Sequence, residues 1–248
     1  MELKRKKLQG EKNILSFNRH FYVVGLIVLG IFNLCLFLLN ASLIIQYTIT
    51  IVFFIGLLMP LIISAYVYDF SGFYEFKWLK HIKLESKDVV LNINAGFDET
   101  SYILNRKLKP KSFCVYDFYD KYKHTEPAIK RARRLGLVYP NTKFVNSQKI
   151  QLEDNSVDAI FFISALHEIR QSEERIQFLK ECKRVCKTNA KVVLIEHLRD
   201  LPNFLAFSIG FTHFFSKNTW VSDFNKAGFT LDNSLKFTRF MSILTFKK

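Results

Sequence analysis

The sequence predicts an α/β protein in which two membrane-spanning helices precede a doubly wound, mostly parallel sheet. Two observations support this fold class. The chain carries no charged residue from Phe21 to Leu39 or from Leu43 to Tyr68, and each run is long enough to cross a hydrocarbon core of about 30 Å. From Asp88 onward, apolar runs of strand length alternate with stretches of helical periodicity, which is typical of βαβ units.

The two apolar runs are separated only by residues 40–42, so they should form a helical hairpin with both ends on one side of a membrane. Basic residues flank the hairpin, and the positive-inside rule places such flanks in the cytoplasm. These residues are Lys4, Arg5, Lys6, Lys7, Lys12, Arg19, Lys77, Lys80 and Lys83. We therefore expect a cell-membrane protein with cytoplasmic termini, comprising a basic tail (1–20), the hairpin (21–68), an interfacial connector (69–87) and a cytosolic domain (88–248).

This region has three alternative interpretations. A cleaved signal peptide could explain the first run, but its apolar part exceeds the usual length and a second run follows. Buried core helices could explain both runs, but two uncharged segments of this length would need a very large soluble core. The connector mixes aromatic residues with lysines, which suits a membrane interface; an ordinary helix packed on the domain is the alternative.

The net charge of +14 and the isoelectric point near 9.6 indicate an acidic partner surface. Beside a membrane anchor, anionic lipid headgroups are the simplest such partner, so we expect membrane lipids and no nucleic acid. The four cysteines form no disulfide framework. Cys182 and Cys186 lie on one predicted helix without a second ligand pair, so we expect no metal site.

The cytosolic domain should contain seven strands. Strands are expected near 89–93, 112–117, 142–146, 157–163 and 191–196, with helices at about 98–108, 125–136 and 171–186. A helix near 217–227 should stop at Gly228, before two closely joined strands at 229–235 and 239–246. One of these closing strands must be antiparallel, whereas a dinucleotide dehydrogenase would more often continue with further βαβ units.

Ligands of open α/β sheets bind beyond the carboxyl ends of the strands, and the first strand-to-helix turn is the usual floor of a cofactor site. Here that turn runs from Asn92 to Asp98. Gly96 allows close backbone approach, and Asn94 tolerates a left-handed backbone. Asp117 ends the second strand, where an acid commonly accepts hydrogen bonds from ribose hydroxyls; the alternative for Asp117 is a solvated loop residue.

Residues 152–169, Leu-Glu-Asp-Asn-Ser-Val-Asp-Ala-Ile-Phe-Phe-Ile-Ser-Ala-Leu-His-Glu-Ile, carry a more specific motif. They resemble the fourth-strand motif of class I S-adenosylmethionine-dependent methyltransferases of the type 11 kind. Residues 128–133 and 143–147 are similar to the second helix and third strand of that family. The resemblance covers about residues 88–246 and implies a seven-stranded Rossmann-like methyltransferase sheet with a C-terminal antiparallel strand.

The resemblance implies S-adenosylmethionine as the cofactor, with the loop from Ser164 to His167 near its methionine end and the substrate entrance. This chain departs from the family at three positions: Asn94 and Asp98 replace expected glycines, and Ser147 stands where an adenine-binding Asp is usual. The cofactor-binding candidates are Asn92, Asn94, Gly96, Asp98, Asp117, Ser147 and Ser164.

A second polar cluster, residues 196–200, follows the fifth strand and should face the same cleft. His167 or His197 could take a proton from a substrate hydroxyl, and Arg199 could hold an acidic substrate group. A structural network of paired charges is the alternative. The apolar stretch 204–215, called here the cover segment, suggests a hydrophobic acceptor, or an ordinary core helix; His213 within it is expected to be structural.

These observations lead to two main hypotheses. The first is a membrane-anchored methyltransferase that acts on a hydrophobic, lipid-like or aromatic acceptor. The second is a catalytically inactive relative that serves as a membrane-tethered binding or scaffold protein, which the three departures from the glycine and adenine positions favour. A nicotinamide oxidoreductase is a third interpretation, but the chain lacks the Gly-x-Gly-x-x-Gly spacing.

Overall fold

The computed structural model describes residues 5–84, 87–123 and 126–248. Within these ranges, seven strands form one sheet. They are β1 (Val89–Asn94), β2 (Ser112–Asp117), β3 (Lys143–Phe144), β4 (Val157–Ile163), β5 (Cys186–His197), β6 (Thr230–Lys236) and β7 (Met241–Lys247), in the order β3-β2-β1-β4-β5-β7-β6. Strands β1 to β5 are parallel, and β7 is antiparallel to both of its neighbours. The predicted fold class is confirmed.

Helices alternate with the strands, and all of those described except the one at Leu201–Phe207, which was not predicted as a separate helix, follow the order that the sequence predicts. They are α3 (Ser101–Leu108), α4 (Pro127–Arg133), α5 (Ser172–Val185), α6 (Leu201–Phe207) and α7 (Lys217–Lys226). Two strands differ from expectation. β3 pairs with β2 through only two residues at the edge of the sheet, and β5 begins at Cys186 because a register shift lets this residue pair with Val157.

The sheet is buried on both faces, as a doubly wound sheet requires. All seven residues of β4 are buried. One face packs against α5 and α7 through residues such as Phe178 and Trp220. The other face packs against α3 and the connector, whose Phe73, Phe76 and Trp78 are buried in the core. The connector therefore takes the position of a covering helix on the domain.

The N-terminal part of the chain forms two long apolar helices, α1 (Gln9–Leu38) and α2 (Leu43–Ala65), and a π-helical turn extends α2 to Phe70. At about 1.5 Å per residue, each helix is long enough to span a bilayer. Only 6% of the residues in the apolar window of each helix are buried, unlike the core helices of a soluble protein. Between the helices, Thr50 Oγ1 donates to Asn33 Oδ1 at 3.0 Å, a contact that holds neighbouring helices together in apolar surroundings.

The hairpin contacts the domain at the end formed by the start of α1 and the end of α2, where charged residues lie. Asp69 accepts hydrogen bonds from the backbone amides of Gly10 and Glu11 at 2.9 and 3.0 Å, which satisfies two free donors of the first turn of α1. A Cβ on Gly10 would lie 2.4 Å from Cβ of Tyr68, so only glycine permits this approach. Residues 9–20, expected as part of a basic tail, are thus the first turns of α1 and lie against the domain.

Candidate active site

A cavity of about 940 Å³ lies at the carboxyl ends of β1, β4 and β5. Its floor includes Ser164, His167, Glu196 and His197, which follow or end these strands. Its walls come from α1, α2 and the cover segment. The sheet edge that holds the polar residues therefore opens into a space that the hairpin encloses.

His167 lies between two carboxylates on this floor. Its Nδ1 is 2.8 Å from Glu196 Oε2, and its Nε2 is 3.4 Å from Glu168 Oε1. Burial by itself would lower the pKa of His167, but the two carboxylates outweigh burial and raise the pKa to about 10. At neutral pH the ring is thus an imidazolium that donates protons, whereas the sequence predicts a proton acceptor at this position.

His197 is the opposite case, because it is buried and neutral. The carbonyl of Phe240 can only accept, so Nδ1 of His197 carries the proton and donates to it at 2.9 Å. Nε2 then accepts from the hydroxyl of Tyr68 at 2.9 Å. Burial is the main cause that lowers the pKa of His197 to about 4. Its lone pair is already engaged, so His197 orients Tyr68 in the cavity wall.

Glu99 joins the hairpin to the domain and was not singled out as a site residue from the sequence. Its buried carboxylate accepts from Arg5 Nη1 at 2.6 Å and from the hydroxyl of Tyr74 at 2.7 Å. Asn13 and Gln9 on α1 also donate to it, at 3.2 and 3.4 Å. The contacts with Arg5, Gln9 and Asn13 connect positions 86 to 94 residues apart, so no local pattern predicts them.

The turn after β1 is stabilised largely by its own side chains. Asn94 Oδ1 accepts from the amide of Gly96 at 2.9 Å, and Asp98 Oδ1 accepts from the amide of Ser101 at 2.9 Å, at the start of α3. Asn92 donates to the hydroxyl of Ser101 at 2.8 Å. Among the described residues, Asn94 Nδ2 and Asp98 Oδ2 are buried without a hydrogen-bond partner. Burial raises the pKa of Asp98.

Asp117 lies at the end of β2, as predicted, and is held by a residue of the chain itself. Its Oδ2 accepts from Arg133 Nη1 at 2.8 Å, and its Oδ1 accepts from the amide of Tyr119 at 2.8 Å. The guanidinium of Arg133 lies over the ring of Tyr119, 4.1 Å from its centroid. It also lies against Gly96, which has φ +86°, so a Cβ there would collide with it. Arg133 thus bridges the turn and Asp117.

The remaining predicted residues are placed as follows. Ser164 lines the cavity, and its backbone has a φ of 49°. Its buried Oγ has no hydrogen-bond partner among the described residues. Ser147 donates to Glu174 at 2.6 Å, outside the cavity. Arg199 donates to the carbonyl of Thr212 and so holds the cover segment rather than facing the cavity.

The structure therefore divides the predicted residues into two groups. Ser164, His167 and His197 share the cavity, whereas the following positions lie outside its lining: Asn92, Asn94, Gly96, Asp98, Asp117, Ser147 and Arg199. Tyr68 and Arg133 were not predicted, because their roles depend on contacts with residues distant in sequence. His213, expected to be structural, lines the cavity with its ring centroid 4.8 Å from that of His167. The sequence signal that could have identified His213 as a cavity residue is its position in an apolar segment.

Comparison with known proteins gives a consistent result. The family model described as a methyltransferase domain matches residues 117–194. No curated protein matches this chain in sequence. One chain of the Haloferax volcanii complex between the Trm112 methyltransferase activator and a methyltransferase is similar in structure, with 13% identity, a TM-score of 0.51 and coverage of 73% of this chain and 90% of that chain.

Two further solved structures are similar over comparable lengths. A SAM-dependent methyltransferase from Aquifex aeolicus is 22% identical, with a TM-score of 0.48 and coverage of 68% of this chain and 87% of that chain. One from Methanosarcina mazei is 18% identical, with a TM-score of 0.45 and coverage of 70% and 97%. The chain thus has the methyltransferase fold, and residues 117–194 match the methyltransferase domain family that the motif at 152–169 resembles.

Proposed function

We propose that this chain is a membrane-anchored methyltransferase that uses S-adenosylmethionine to methylate a hydrophobic, lipid-like or aromatic acceptor. The observation that supports this most directly is the single cavity that joins the carboxyl edge of the sheet to the membrane hairpin. A soluble polar acceptor would not need apolar walls from α1 and α2.

The residues at the sheet edge fit this cofactor at its methionine end. Ser164 Oγ, Asn94 Nδ2 and Asp98 Oδ2 are buried polar atoms without partners among the described residues, and a bound ligand would satisfy such atoms. When bound, S-adenosylmethionine supplies a methyl group on a sulfonium. Asp117 would hold the ribose after Arg133 has released it.

The apolar part of the cavity favours an acceptor that arrives from the bilayer. Phe17 and Phe21 of α1 and Leu57 and Pro60 of α2 form one wall. Phe207 and Phe214 of the cover segment form another wall. An apolar acceptor gains about 25 cal/mol for each Å² removed from water, so these surfaces can align its reactive end with the polar floor.

The chain's own residues would then position the acceptor and remove its proton. His167, protonated at neutral pH, can donate a hydrogen bond to an acceptor oxygen. Glu196 Oε1 is buried without a partner among the described residues and lines the cavity, so it is placed to accept the proton. Arg199 would hold the cover segment in place through its hydrogen bond to the carbonyl of Thr212.

We place the anchor in the cell membrane with both termini in the cytoplasm. A helical hairpin puts the start of α1 and the end of α2 on one side, and the basic residues that flank these two ends favour the cytoplasmic side. Anionic lipid headgroups are the partners that this arrangement suits.

The inactive scaffold remains the second candidate, and the Arg133–Asp117 ion pair favours it. An arginine that permanently neutralises Asp117 and covers Gly96 would exclude a ribose. The two functions therefore differ in whether this ion pair opens for a ligand.

Calorimetric titration of the full chain in detergent micelles separates the two candidates. We expect micromolar binding of S-adenosylmethionine and S-adenosylhomocysteine, loss of binding in Asp117→Ala, and normal binding in the control Asp120→Ala. A folded wild-type protein that binds neither ligand at millimolar concentration would refute the methyltransferase and support the scaffold.

A further inference from the structure

Three potential metal ligands meet in the lining of the cavity. His167 and Glu168 follow β4, and His213 comes from the cover segment, so the cluster joins two separate parts of the chain. One ligand atom from each residue lies within 4.8 Å of the others, and all three residues are partly buried. No metal site is predicted from the sequence, where only the cysteines were considered as ligands. His213 lies 45 residues after Glu168, so no local ligand spacing marks this cluster.

The second nitrogen of each histidine is already held by a carboxylate. Glu196 Oε2 is 2.8 Å from Nδ1 of His167, and Glu126 Oε2 is 3.3 Å from Nδ1 of His213. This leaves the Nε2 atom of each ring for another partner. Histidines that bind metals almost always donate their other N–H to a carboxylate or carbonyl, which fixes the ring and increases its basicity. The cluster has this outer arrangement on both histidines.

The charges around the cluster also suit a divalent cation. Glu126, Glu168 and Glu196 bring three negative charges, and Arg170, which donates to the carbonyls of His167 and His213, brings one positive charge. A metal ion would displace the proton from His167 on binding. With both histidines then neutral, the cluster has a net charge of two negative units, which one divalent ion would balance.

We infer that His167, Glu168 and His213 bind a divalent transition-metal ion such as Zn²⁺, Fe²⁺ or Mn²⁺. Two imidazoles and one carboxylate are a ligand set of catalytic zinc and non-haem iron sites, which keep positions open. Bonds of about 2.0–2.2 Å require the ligand atoms to approach one another by roughly 1 Å. All three residues line the cavity, so the open positions face the acceptor.

The inference of a metal site depends only on these contacts. The role of the bound metal depends on the proposed methyl transfer. There, an acceptor hydroxyl bound to the metal would lose its proton more readily. The proton would leave to Glu196. The acceptor oxygen would then form a bond to the methyl carbon while the methyl–sulfur bond breaks and S-adenosylhomocysteine leaves. With the metal bound, this contact would replace the hydrogen bond from protonated His167.

Cobalt titration of the full chain in detergent micelles tests the site. The protein is treated with a chelator, dialysed and titrated with Co²⁺, while visible d–d absorption and metal content are measured. We expect one Co²⁺ per chain in the wild type, at least a tenfold loss of affinity in His213→Ala and in Glu168→Gln, and wild-type binding in the control His81→Ala, because His81 is exposed and distant in sequence.

Two results would overturn the inference: a folded wild type that binds no cobalt, or a His213→Ala protein with the spectrum and stoichiometry of the wild type. His213→Asn repeats the test with a smaller change in polarity in case the alanine variant unfolds. Because S-adenosylmethionine binding is measured separately, a protein that binds cobalt but not the cofactor would refute only the methyl transfer.

Discussion

The two halves of the carboxyl edge of the sheet are built differently. On the β1–β2 side, Arg133 bridges Gly96 and Asp117, and the turn satisfies many of its own polar groups. On the β4–β5 side, Ser164, His167 and Glu196 open into a large cavity. We call these the closed half and the open half. Under the proposed function, the open half would be ready to bind an acceptor, whereas the closed half would have to open the Arg133–Asp117 ion pair before it binds the cofactor.

The largest expected effect concerns the contacts that enclose the open half. Glu99→Ala removes an acceptor of four side-chain donors and leaves Arg5 without its closest carboxylate. Breaking a buried ion pair typically costs about 3–5 kcal/mol. We expect a loss near the lower limit, about 3 kcal/mol, because Arg5 is 15% exposed. The measurement is the heat-unfolding midpoint of the full chain in micelles.

Glu75→Ala is the matched control, because its carboxylate forms an exposed ion pair with Lys77, and such pairs contribute little to stability. Equal unfolding midpoints for Glu99→Ala and Glu75→Ala would show that the hairpin does not depend on this docking point.

The pH dependence of stability tests the neutral state of His197 in the open half. Its folded pKa of about 4 lies below the unfolded value, so its contribution is fully present above about pH 6.5 and is lost as the pH falls toward 4. The shift corresponds to at most about 3 kcal/mol. Tyr68, His167 and Lys236 are the other titratable groups that face it.

We expect that the wild type loses more stability than His197→Gln between pH 6.5 and 4.5, in chemical unfolding of the full chain in micelles. Parallel curves for the two proteins over this window would mean that His197 is not buried in the neutral form.

A smaller expected effect distinguishes binding of the acceptor from binding of the cofactor. Gly56 on α2 lines the cavity, and a Cβ there would meet nothing within 4 Å. Gly56→Phe should therefore fill the open half without strain and weaken binding of a decyl-hydroquinone about tenfold, or about 1.4 kcal/mol. Binding of S-adenosylmethionine should not change. Calorimetry on both ligands gives the comparison.

Gly30→Phe provides the control, since Gly30 has equal space around it but does not line the cavity. If both phenylalanine variants bind the hydroquinone as the wild type does, the acceptor does not enter between α1 and α2.

The smallest effect concerns the closed half. Arg133→Met removes the partner of Asp117 and should tighten binding of S-adenosylmethionine several-fold, or about 1 kcal/mol, because the ligand no longer has to displace the guanidinium. Arg134→Met, at an exposed neighbour, should bind as the wild type does. Weaker binding in Arg133→Met would show instead that the guanidinium contacts the ligand.

Local pattern sufficed for the fold but only partly for the site. The pattern of apolar residues predicts β2 and β4 with their observed bounds. β4 is buried along its whole length, and a strand buried on both faces is a continuous apolar run. The pattern also predicts that Asp117 and Ser164 lie at strand ends. It does not predict which strand ends share a cavity. The contacts of Arg133 with Asp117 and of Tyr68 with His197 determine this, and each joins residues that are distant in sequence.

The hydrogen bond between Tyr68 and His197 would couple the geometry of the site to the surrounding lipid. Tyr68 lies at the end of α2, and a helix adjusts its tilt when the hydrocarbon thickness around it changes. A thicker or thinner bilayer would thus move one wall of the cavity relative to the sheet. We expect the shape of the site to differ between membranes of different thickness. Lipid composition would then regulate this protein without a bound effector.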